Sequence, residues 1–336
     1  MNQLTTPQEV TALLSATTGA AALGAAIETG LLWDLAEDPL PAPEVSRRLG
    51  IPARRCQYWL QFLCELGILT EGPHGYVPSA VAKEAVLDAH SRESWQHLVE
   101  DERERSACVH YLVQHLAIPG SIWTAQGMDP PPNYVEKMRR DPVRAREFTR
   151  MLYEVHQTLA NEVASLLDLR GARHMLDLGG NSGVVSMALL SRYPDLFATV
   201  VDLATVCETG REIAAEQGFS NRLTYHAADF MHDALPTGFD LVLKCDVGIF
   251  AETLYVRVWE ALEQGGQFVL VDYFSPTEEK LHPSRLRWSF LDSLHDPDFC
   301  IPTAAQVRAQ LARTGFRVLP DEQRTSTGRV IIQAQK

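Results

Sequence analysis

The sequence has too few basic residues for a protein whose main partner is a nucleic acid. Its 336 residues contain 30 lysines and arginines against 43 aspartates and glutamates, which gives a formal net charge of −13. Because nucleic-acid affinity depends on neutralising phosphates, we expect no nucleic-acid partner. Hydrophobic residues make up 46% of the chain, which is enough for a full core in about two domains.

Cysteine pairs, long apolar runs and a signal peptide are also missing. The 6 cysteines are scattered and form no C-x-x-C pair, which argues against a zinc site or a disulfide framework and is typical of reduced thiols. No apolar run approaches the ~20 residues that cross a bilayer. Residues 1–9 lack the basic and apolar regions of a signal peptide. We therefore expect a cytoplasmic protein without a metal site or a membrane partner.

One segment, residues 174–183 (HMLDLGGNSG), carries most of the functional information. An apolar run leads into a glycine-rich turn, and residues 184–193 follow with helical periodicity. In a strand–turn–helix, glycines let the backbone approach a ligand and the helix start offers unpaired N–H groups. Asp202 ends the next apolar run, 19 residues after Gly183, close to the spacing of about 20 at which a carboxylate meets a ribose hydroxyl. The segment therefore predicts a nucleotide-type cofactor site.

The pattern around this segment predicts an α/β fold with a Rossmann-like parallel sheet that ends in an antiparallel hairpin. From residue 174 onward strands and helices alternate, but the last two predicted strands are too close for a helix between them. The predicted strands span residues 174–178, 197–202, 223–228, 239–245, 267–273, 316–320 and 329–334. We expect this cofactor domain to occupy residues 170–336.

The upstream part of the chain is predominantly helical. Residues 1–90 predict short helices and a β-hairpin, which together form a winged-helix pattern. Residues 19–35 are rich in alanine and leucine, so we expect that helix to be buried on most sides. Residues 91–169 predict helices throughout, with one long helix over 148–169. The second helix of the winged pattern is crowded with apolar groups, which favours a protein interface over DNA recognition. These groups are Trp59, Leu60, Phe62 and Leu63.

Two cofactor classes fit the glycine motif. Dinucleotide enzymes usually carry G-x-G-x-x-G, whereas residues 179–183 read GGNSG, and Asp177 stands two residues before the first glycine. The terminal hairpin also argues against a dinucleotide domain. Both features suit S-adenosylmethionine, which has one ribose, one adenine and an amino-acid tail but no pyrophosphate.

With these motifs the chain resembles the class I S-adenosylmethionine-dependent O-methyltransferases of the caffeate and hydroxyindole type, which include bacterial secondary-metabolite enzymes. Residues 177–183 resemble the family's D-x-G-G-G-x-G loop, residues 201–203 its ribose-binding V-D-L-P, and residues 229–230 its G-D-F-F step. Residues 243–244 look like the strand end whose lysine meets the methionyl carboxylate. The resemblance implies S-adenosylmethionine as the cofactor, held by Asp177, Gly179, Gly180, Asp202, Leu203, Asp229, Phe230 and Lys244.

The resemblance covers nearly the whole chain and therefore also implies the partners. Residues 1–90 look like the family's dimerisation domain, so we expect a homodimer formed through this domain. Residues 91–169 correspond to a helical linker and cap that binds a small-molecule acceptor. Residues 170–336 correspond to the methyltransferase domain that binds the cofactor.

The chain departs from the family pattern at two places. Asn181 stands where the family's loop has its middle glycine, and because asparagine tolerates a positive φ we expect the loop to keep its shape. After its lysine the family continues with L-H-D-W, whose histidine removes the proton from the acceptor hydroxyl, but residues 244–252 read KCDVGIFAE. General acid–base catalysis typically contributes about 10²–10⁴-fold, so the missing histidine bears directly on the chemistry.

Three interpretations of the missing histidine stay open. The acceptor could be acidic enough to need little help, another residue could serve as the base, or methyl transfer could have been lost. His295 and His156 are candidate bases, because their segments face the acceptor in the family, although each could equally be a surface or packed histidine. Asp246, at the end of the fourth predicted strand, could point into the site or cap a loop. We hypothesise that His295 contacts the acceptor.

The sequence therefore predicts a methyltransferase that acts on a small aromatic or polyketide-like natural-product intermediate. A hydroxyl is the expected methyl acceptor, ahead of an acidic carbon. The alternative is an enzyme of the same fold that binds S-adenosylmethionine but performs decarboxylation, hydroxylation or cyclisation.

Overall fold

The computed structural model describes residues 4–106, 109, 112–117, 120–125, 127, 134–169, 171–275 and 282–336. The chain forms two compact units, Met1–Glu104 and Arg105–Lys336. Each unit has its own hydrophobic core. The predicted domain boundaries near residues 90 and 169 stay predictions.

The first unit consists of helices followed by a β-hairpin, in the order that the sequence predicts. A π-helical turn, Lys83–Leu87, leads to helix α6, which extends past the end of the unit. The winged-helix assignment remains an interpretation of this order. The elements are α1 (Pro7–Glu28), α2 (Leu31–Glu37), α3 (Ala42–Leu49), α4 (Ala53–Glu65), the antiparallel pair β1 (Leu69–Gly72) and β2 (Gly75–Pro78), α5 (Ala80–Ala82) and α6 (Arg92–Ser106).

Helix α1 differs from its prediction. It begins at a capping box, in which the Thr6 side chain accepts the Glu9 N–H and the Glu9 carboxylate accepts the Thr6 N–H. The helix predicted over residues 19–35 is divided at Gly30, whose φ is +76°. Within residues 19–35 only Ala20, Ala21 and Thr29 are exposed, which agrees with the expected burial; the exposed part of α1 is the stretch before residue 19. The buried residues of α1 are Gly24, Ala26 and Ile27.

Helix α1 is also long and apolar enough, by length and composition alone, to cross a membrane. This corrects the expectation that the chain has no such segment. The core helices of soluble proteins and signal sequences pass the same test, so this helix by itself does not indicate a membrane partner.

The apolar residues of α4 are divided between core and surface. Leu60 and Leu63 are fully buried in the core of the first unit. Trp59 and Phe62 line an open groove together with the exposed Tyr58. Only this second group is placed to contribute to a protein interface, so the predicted interface loses Leu60 and Leu63 to the core.

The second unit alternates strands and helices from β3 onward, as predicted. Its elements are α7 (Leu112–His115), α8 (Ile122–Ala125), α9 (Tyr134–Arg140), α10 (Pro142–Val155), α11 (Gln157–Leu166), β3 (His174–Leu178), α12 (Val184–Arg192), β4 (Phe197–Asp202), α13 (Ala204–Glu216), β5 (Leu223–Ala227), β6 (Phe239–Cys245), α14 (Glu252–Ala261), β7 (Leu262–Asp272), α15 (Pro283–His295), α16 (Ala304–Thr314), β8 (Arg317–Val318), β9 (Gln323–Arg324) and β10 (Val330–Gln335).

The strands form one sheet in the order β5-β4-β3-β6-β7-β10-β8, and β9 also pairs with β10. Strands β3 to β7 run parallel, and β10 pairs antiparallel with both β7 and β8. The predicted parallel sheet with a terminal antiparallel hairpin is therefore confirmed. Because β10 runs against β7, the start of β10 lies beside the carboxyl end of β7, where Val330 pairs with Asp272.

Alternate side chains of the central strands pack on opposite faces of the sheet, as the two-residue strand period requires. In β6, Leu241 and Leu243 join the core beneath α11 and α12, whereas Val242 joins the core beneath α14 and α16. Cys245 packs against the first of these cores. Whether a strand residue has an odd or an even position along the strand therefore decides which face of the sheet its side chain lies on.

The long helix predicted over residues 148–169 is broken at His156. Helix α10 ends there and α11 begins there, with His156 at φ −95° and ψ 3°. The side-chain amide of Gln157 donates to the Tyr153 carbonyl at 3.1 Å, which satisfies an acceptor at the end of α10. The break lies at the one histidine of this segment, whose backbone departs from helical values.

Candidate active site

Two cavities lie at the carboxyl edge of the parallel sheet, where ligands bind in open α/β folds. The first has a volume of about 820 Å³ and is walled by the loop after β3, the ends of β4 and β6, and helices α9 and α10. The second has a volume of about 860 Å³ and is walled by α11, α15 and the ends of β6 and β7. The residues that line both cavities are His156, Leu159, Asp246 and Val247.

The glycine loop after β3 has the shape that a closely bound ligand needs. Gly179 has φ +67°, in the left-handed region. A Cβ on Gly180 would lie 2.5 Å from the Asp177 carboxyl carbon, so no side chain fits there. Asn181 adopts φ +50°, which agrees with the expectation that asparagine can replace glycine at this point of the loop.

Asp202 lines the first cavity at the end of β4. Its carboxylate accepts the Asn181 N–H at 3.0 Å, the Leu203 N–H at 2.8 Å and the Tyr134 hydroxyl at 3.2 Å. Burial raises the pKa of Asp202 to about 6, against the lowering effect of these hydrogen bonds. Leu203 lines the cavity beside it. The structure thus brings the predicted ribose acid to the glycine loop.

Asp177 is the second buried acid of the first cavity. The Ser186 hydroxyl donates to its Oδ2 at 2.6 Å, while Oδ1 is buried and has no hydrogen-bond partner among the described residues. Burial raises the pKa of this carboxyl to about 7, opposed by the hydrogen bond from Ser186. A buried acceptor without a partner is costly, so this atom is suited to a donor that a ligand supplies.

Asp229 and Phe230 also line the first cavity. Arg139 lies 3.2 Å and the His232 Nδ1 3.3 Å from the Asp229 carboxylate. Although burial raises the pKa of Asp229, the hydrogen bonds from His232 and the Met231 N–H lower it below its ordinary value. The predicted adenine-side pair therefore lies in the same cavity as the predicted ribose acid.

Lys244 is placed differently from its prediction. It is fully buried, its Nζ lies 3.0 Å from Asp272 Oδ2, and it stands 4.8 Å from the ring centroid of Phe250. It lines neither cavity. Side chains alternate between the two faces of a strand, so Lys244 lies on the same face as Val242, opposite to Cys245, which lines the first cavity. The assignment of Lys244 as a cofactor ligand stays a prediction that this geometry does not support, because the geometry favours a structural ion pair with Asp272.

The three candidate bases are not equivalent. His295 is exposed at the end of α15, with its ring 5.8 Å from that of Trp123, and it lines only the second cavity. His156 and Asp246 line both cavities, and His156 Nε2 lies 3.9 Å from Asp246 Oδ2. The structure therefore brings His156 and Asp246 together and leaves His295 apart from them.

Burial and neighbouring charges shift the pKa values of His156 and Asp246. Burial lowers the pKa of His156, against the opposing charge of Asp246. Although burial raises the pKa of Asp246, the hydrogen bond and charge of Arg329 lower it below its ordinary value. Near neutral pH the pair is thus a neutral imidazole beside a carboxylate.

Three residues of the site were missed by the sequence reasoning. Tyr134 and Arg139 of α9 cover the first cavity, and Arg329 precedes β10 and binds Asp246. None belongs to a motif with a fixed spacing from the glycine loop, so only the folded chain brings them there. Among the described residues, no group of three or more histidine, cysteine, aspartate or glutamate side chains could hold a metal ion.

The raised pKa of Asp177 predicts how stability changes with pH. A carboxyl with a raised pKa contributes its stability below about pH 4, and that contribution is lost as pH rises through about 7. We expect Asp177→Asn to raise the melting temperature of the cofactor-free protein at pH 8, and to have little benefit at pH 5. An unpaired buried acceptor costs about 1–3 kcal/mol, and each kcal/mol is worth about 2–4 °C in a unit of this size.

Thermal melts at pH 5 and pH 8 check this prediction. The control is Asp195→Asn, which makes the same chemical change at an exposed aspartate. Equal melting temperatures for the two variants at pH 8 would contradict a buried, destabilised carboxylate at position 177.

Comparisons with known proteins identify the family of this chain. A family model described as the O-methyltransferase domain matches residues 119–317. The 3-hydroxy-5-methyl-1-naphthoate 3-O-methyltransferase of Streptomyces sahachiroi is 33% identical over 227 residues, which cover 66% of this chain and 62% of that protein. The N,N-dimethyltransferase OxyT of Streptomyces rimosus is 27% identical over 306 residues, or 89% of this chain and 87% of that protein.

A solved structure extends the likeness to the fold. The human N-acetylserotonin methyltransferase in complex with S-adenosylmethionine superposes with a TM-score of 0.79 at 19% identity, over 100% of this chain and 99% of that chain. This likeness confirms the predicted fold class. The family model spans more than half of the chain. The chain therefore belongs to the family of S-adenosylmethionine-dependent O-methyltransferases that its motifs predicted.

Proposed function

We propose that this enzyme transfers the methyl group of S-adenosylmethionine, bound in the first cavity, to a hydroxyl of a small aromatic or polyketide-like acceptor, bound in the second. The observation that carries the proposal is that the two cavities meet at His156 and Asp246. A donor and an acceptor held on either side of these residues would be brought into contact, and such orientation can supply about 7–11 kcal/mol in the best cases.

The residues of the first cavity fit the cofactor. Asp202 can accept the ribose hydroxyls, and Asp229 with Phe230 can hold the adenine. The unpartnered oxygen of Asp177 can accept the ammonium group of the amino-acid tail. When bound, S-adenosylmethionine supplies a methyl group on a positively charged sulfur. Gly179 and Gly180 keep the loop backbone free of side chains where it faces the ligand.

His156 is the proposed general base for the acceptor hydroxyl. Its lowered pKa keeps it neutral, so it can accept a proton near physiological pH. The carboxylate of Asp246, 3.9 Å away, would stabilise the imidazolium that forms. His295 lines the second cavity but not the first, so it is proposed to contact the acceptor and not to serve as the base.

The non-methylating alternative has less support. Both relatives described above carry the names of methyltransferases. Their acceptors differ in kind, since one name specifies an oxygen and the other a nitrogen. The proposal of a hydroxyl acceptor rests on the matched O-methyltransferase domain and on a base placed at the junction of the cavities.

The first unit is proposed to form a homodimer, and the protein to be cytoplasmic. Large apolar side chains are exposed on α1 and α4, among them Leu14 at 83% and Tyr58 at 58% exposure. Burying such groups against a second copy would remove them from water. Light scattering of the protein and of Leu14→Glu tests this: a monomeric wild-type protein would contradict the dimer.

The activity is tested by incubating the purified protein with S-adenosylmethionine and a panel of hydroxynaphthoates, hydroxyquinones and catechols. We expect S-adenosylhomocysteine and a product heavier by one methylene unit, both detected by mass spectrometry. Asp202→Ala should form both more slowly when S-adenosylmethionine is limiting. Consumption of an acceptor without S-adenosylhomocysteine would instead support the non-methylating alternative.

A further inference from the structure

We propose that Arg329 is a positioning residue that binds the Asp246 carboxylate at the junction of the two cavities and, by offsetting its charge, keeps the neighbouring His156 imidazole neutral. The inference rests on the proposed function, because it assigns a role in setting up the base of that reaction. It concerns a residue at the far end of the chain from the glycine loop, in a hairpin that has no part in cofactor binding.

The sheet topology explains how Arg329 reaches this place. Strand β10 runs antiparallel to β7, so the residue before β10 lies at the carboxyl edge of the parallel strands, beside Asp272. The turn before β10 is closed by hydrogen bonds between Thr325 and Arg329, in which the Arg329 N–H donates to Thr325 Oγ1 at 3.0 Å and the Thr325 N–H donates to the Arg329 carbonyl at 2.9 Å. The terminal hairpin therefore delivers one guanidinium to the active-site edge.

The guanidinium is held on three sides. Its NH2 group donates to Asp246 Oδ2 at 2.7 Å, and its NH1 group donates to Thr327 Oγ1 at 2.7 Å. Its carbon atom lies 4.5 Å from the ring centroid of Tyr273, within the range of a cation–π contact. The Arg329 side chain is only 12% exposed. A guanidinium so constrained loses little entropy when it fixes a carboxylate.

Asp246 needs such a support. Its φ of +58° lies in the left-handed region, which is costly for a residue other than glycine and persists only where the surroundings enforce it. The Asp246 N–H donates to the Val271 carbonyl at 2.8 Å, and Arg329 holds its side chain. Together these contacts aim the carboxylate at His156.

The electrostatic role of Arg329 follows from its neighbours. Asp246 faces Arg329 from β10, His156 from the α10–α11 junction and Arg285 from α15. Arg329 itself faces Asp246, Tyr273 and Cys245. The charge of Asp246 raises the pKa of His156 and the charge of Arg329 lowers it, so the two residues act on the imidazole in opposite directions.

The test measures the titration of His156 in the full-length protein, without an acceptor. Histidine ring signals are followed by NMR, with His156 assigned by its loss in His156→Gln. We expect Arg329→Gln to move the His156 midpoint to higher pH and Asp246→Asn to move it to lower pH. Arg329→Lys, which keeps the charge, should stay close to wild type. A residue that only supports the fold would not produce shifts of opposite sign.

Two further variants keep the test decisive. Arg329→Met preserves the aliphatic stem on Tyr273 and serves if Arg329→Gln does not fold, with the same upward shift expected. Arg285→Gln is the matched control, because Arg285 lines the same cavity but pairs with Asp292 at 2.9 Å. An unchanged His156 midpoint in the folded Arg329 variants, or a shift as large in Arg285→Gln, would overturn the proposal.

The outcome can be separated from that of the proposed function. If the wild-type protein forms S-adenosylhomocysteine with a hydroxynaphthoate, the acid limb of its pH–rate profile should move to higher pH in Arg329→Gln, and the ratio of turnover at pH 8 to that at pH 6 should rise severalfold. An active wild type with unshifted Arg329 variants would reject the role of Arg329 alone. An inactive wild type with the expected NMR shifts would reject the proposed function alone.

Discussion

Replacing His156 with glutamine is expected to lower turnover at saturating S-adenosylmethionine by about 10²–10⁴-fold, the usual contribution of a general base. His156 is the titratable group that lines both cavities and is neutral near pH 7, because burial lowers its pKa. Glutamine keeps a polar side chain of similar size but cannot accept the proton. Initial rates of S-adenosylhomocysteine formation with an accepted hydroxynaphthoate measure the effect.

The matched control for this experiment is His295→Gln. His295 lines only the second cavity, so we expect its loss to change the Michaelis constant for the acceptor more than turnover. The reverse result, with turnover lost in His295→Gln and kept in His156→Gln, would restore the original sequence-based hypothesis. Full turnover in both variants would indicate an acceptor that is already ionised, as one of the sequence interpretations holds.

The second large effect is expected for Asp202→Ala, which should weaken binding of S-adenosylhomocysteine by about 10–100-fold. Hydrogen bonds to a charged group contribute about 1.5–3 kcal/mol, and every 1.4 kcal/mol is tenfold in affinity. The variant also removes the acceptor for the Asn181 and Leu203 N–H groups, so the loop loses its anchor as well as the ribose ligand. Isothermal titration calorimetry measures the change.

Asp195→Ala is the control for this prediction, since it removes an exposed aspartate from the same unit and should leave the affinity unchanged. The three hydrogen bonds to the Asp202 carboxylate also predict a smaller loss in Tyr134→Phe, which removes only the one of 3.2 Å. Wild-type affinity in a folded Asp202→Ala protein would mean that the cofactor does not lie against the end of β4.

The sequence was informative where function depends on neighbours along the chain. Strands β3, β4 and β6 have the predicted bounds, and residues Asp177, Asp202 and Asp229 all reach the first cavity. A glycine loop between a strand and a helix fixes the position of its own residues, and the carboxyl ends of parallel strands meet at one edge of the sheet. Local pattern and topology together were therefore sufficient to predict that these three acids share one cavity.

The sequence was less informative where a shift of one residue in a strand, or a single contact, decides where a side chain lies. Lys244 was assigned from a motif, but a strand alternates faces at every residue, and Cys245 rather than Lys244 has the parity of the cavity wall. The alternation of Leu241, Leu243 and Cys245 was a signal that could have shown this. For residues 19–35, the apolar composition indicated the burial that the structure has, but it did not show the division into two helices at Gly30.

By itself the sequence determined the α/β fold, the family and the acids that form the first cavity, because these depend on short-range patterns of glycine, carboxylate and apolar residues. Only the tertiary structure decided which groups stand at the junction of the cavities. His156 is placed there by a break in a helix that looks continuous in sequence, and Arg329 by an antiparallel strand that brings together residues 83 positions apart. Such contacts leave no periodic signal, since their free energy depends on packing and charge between segments that meet only after folding.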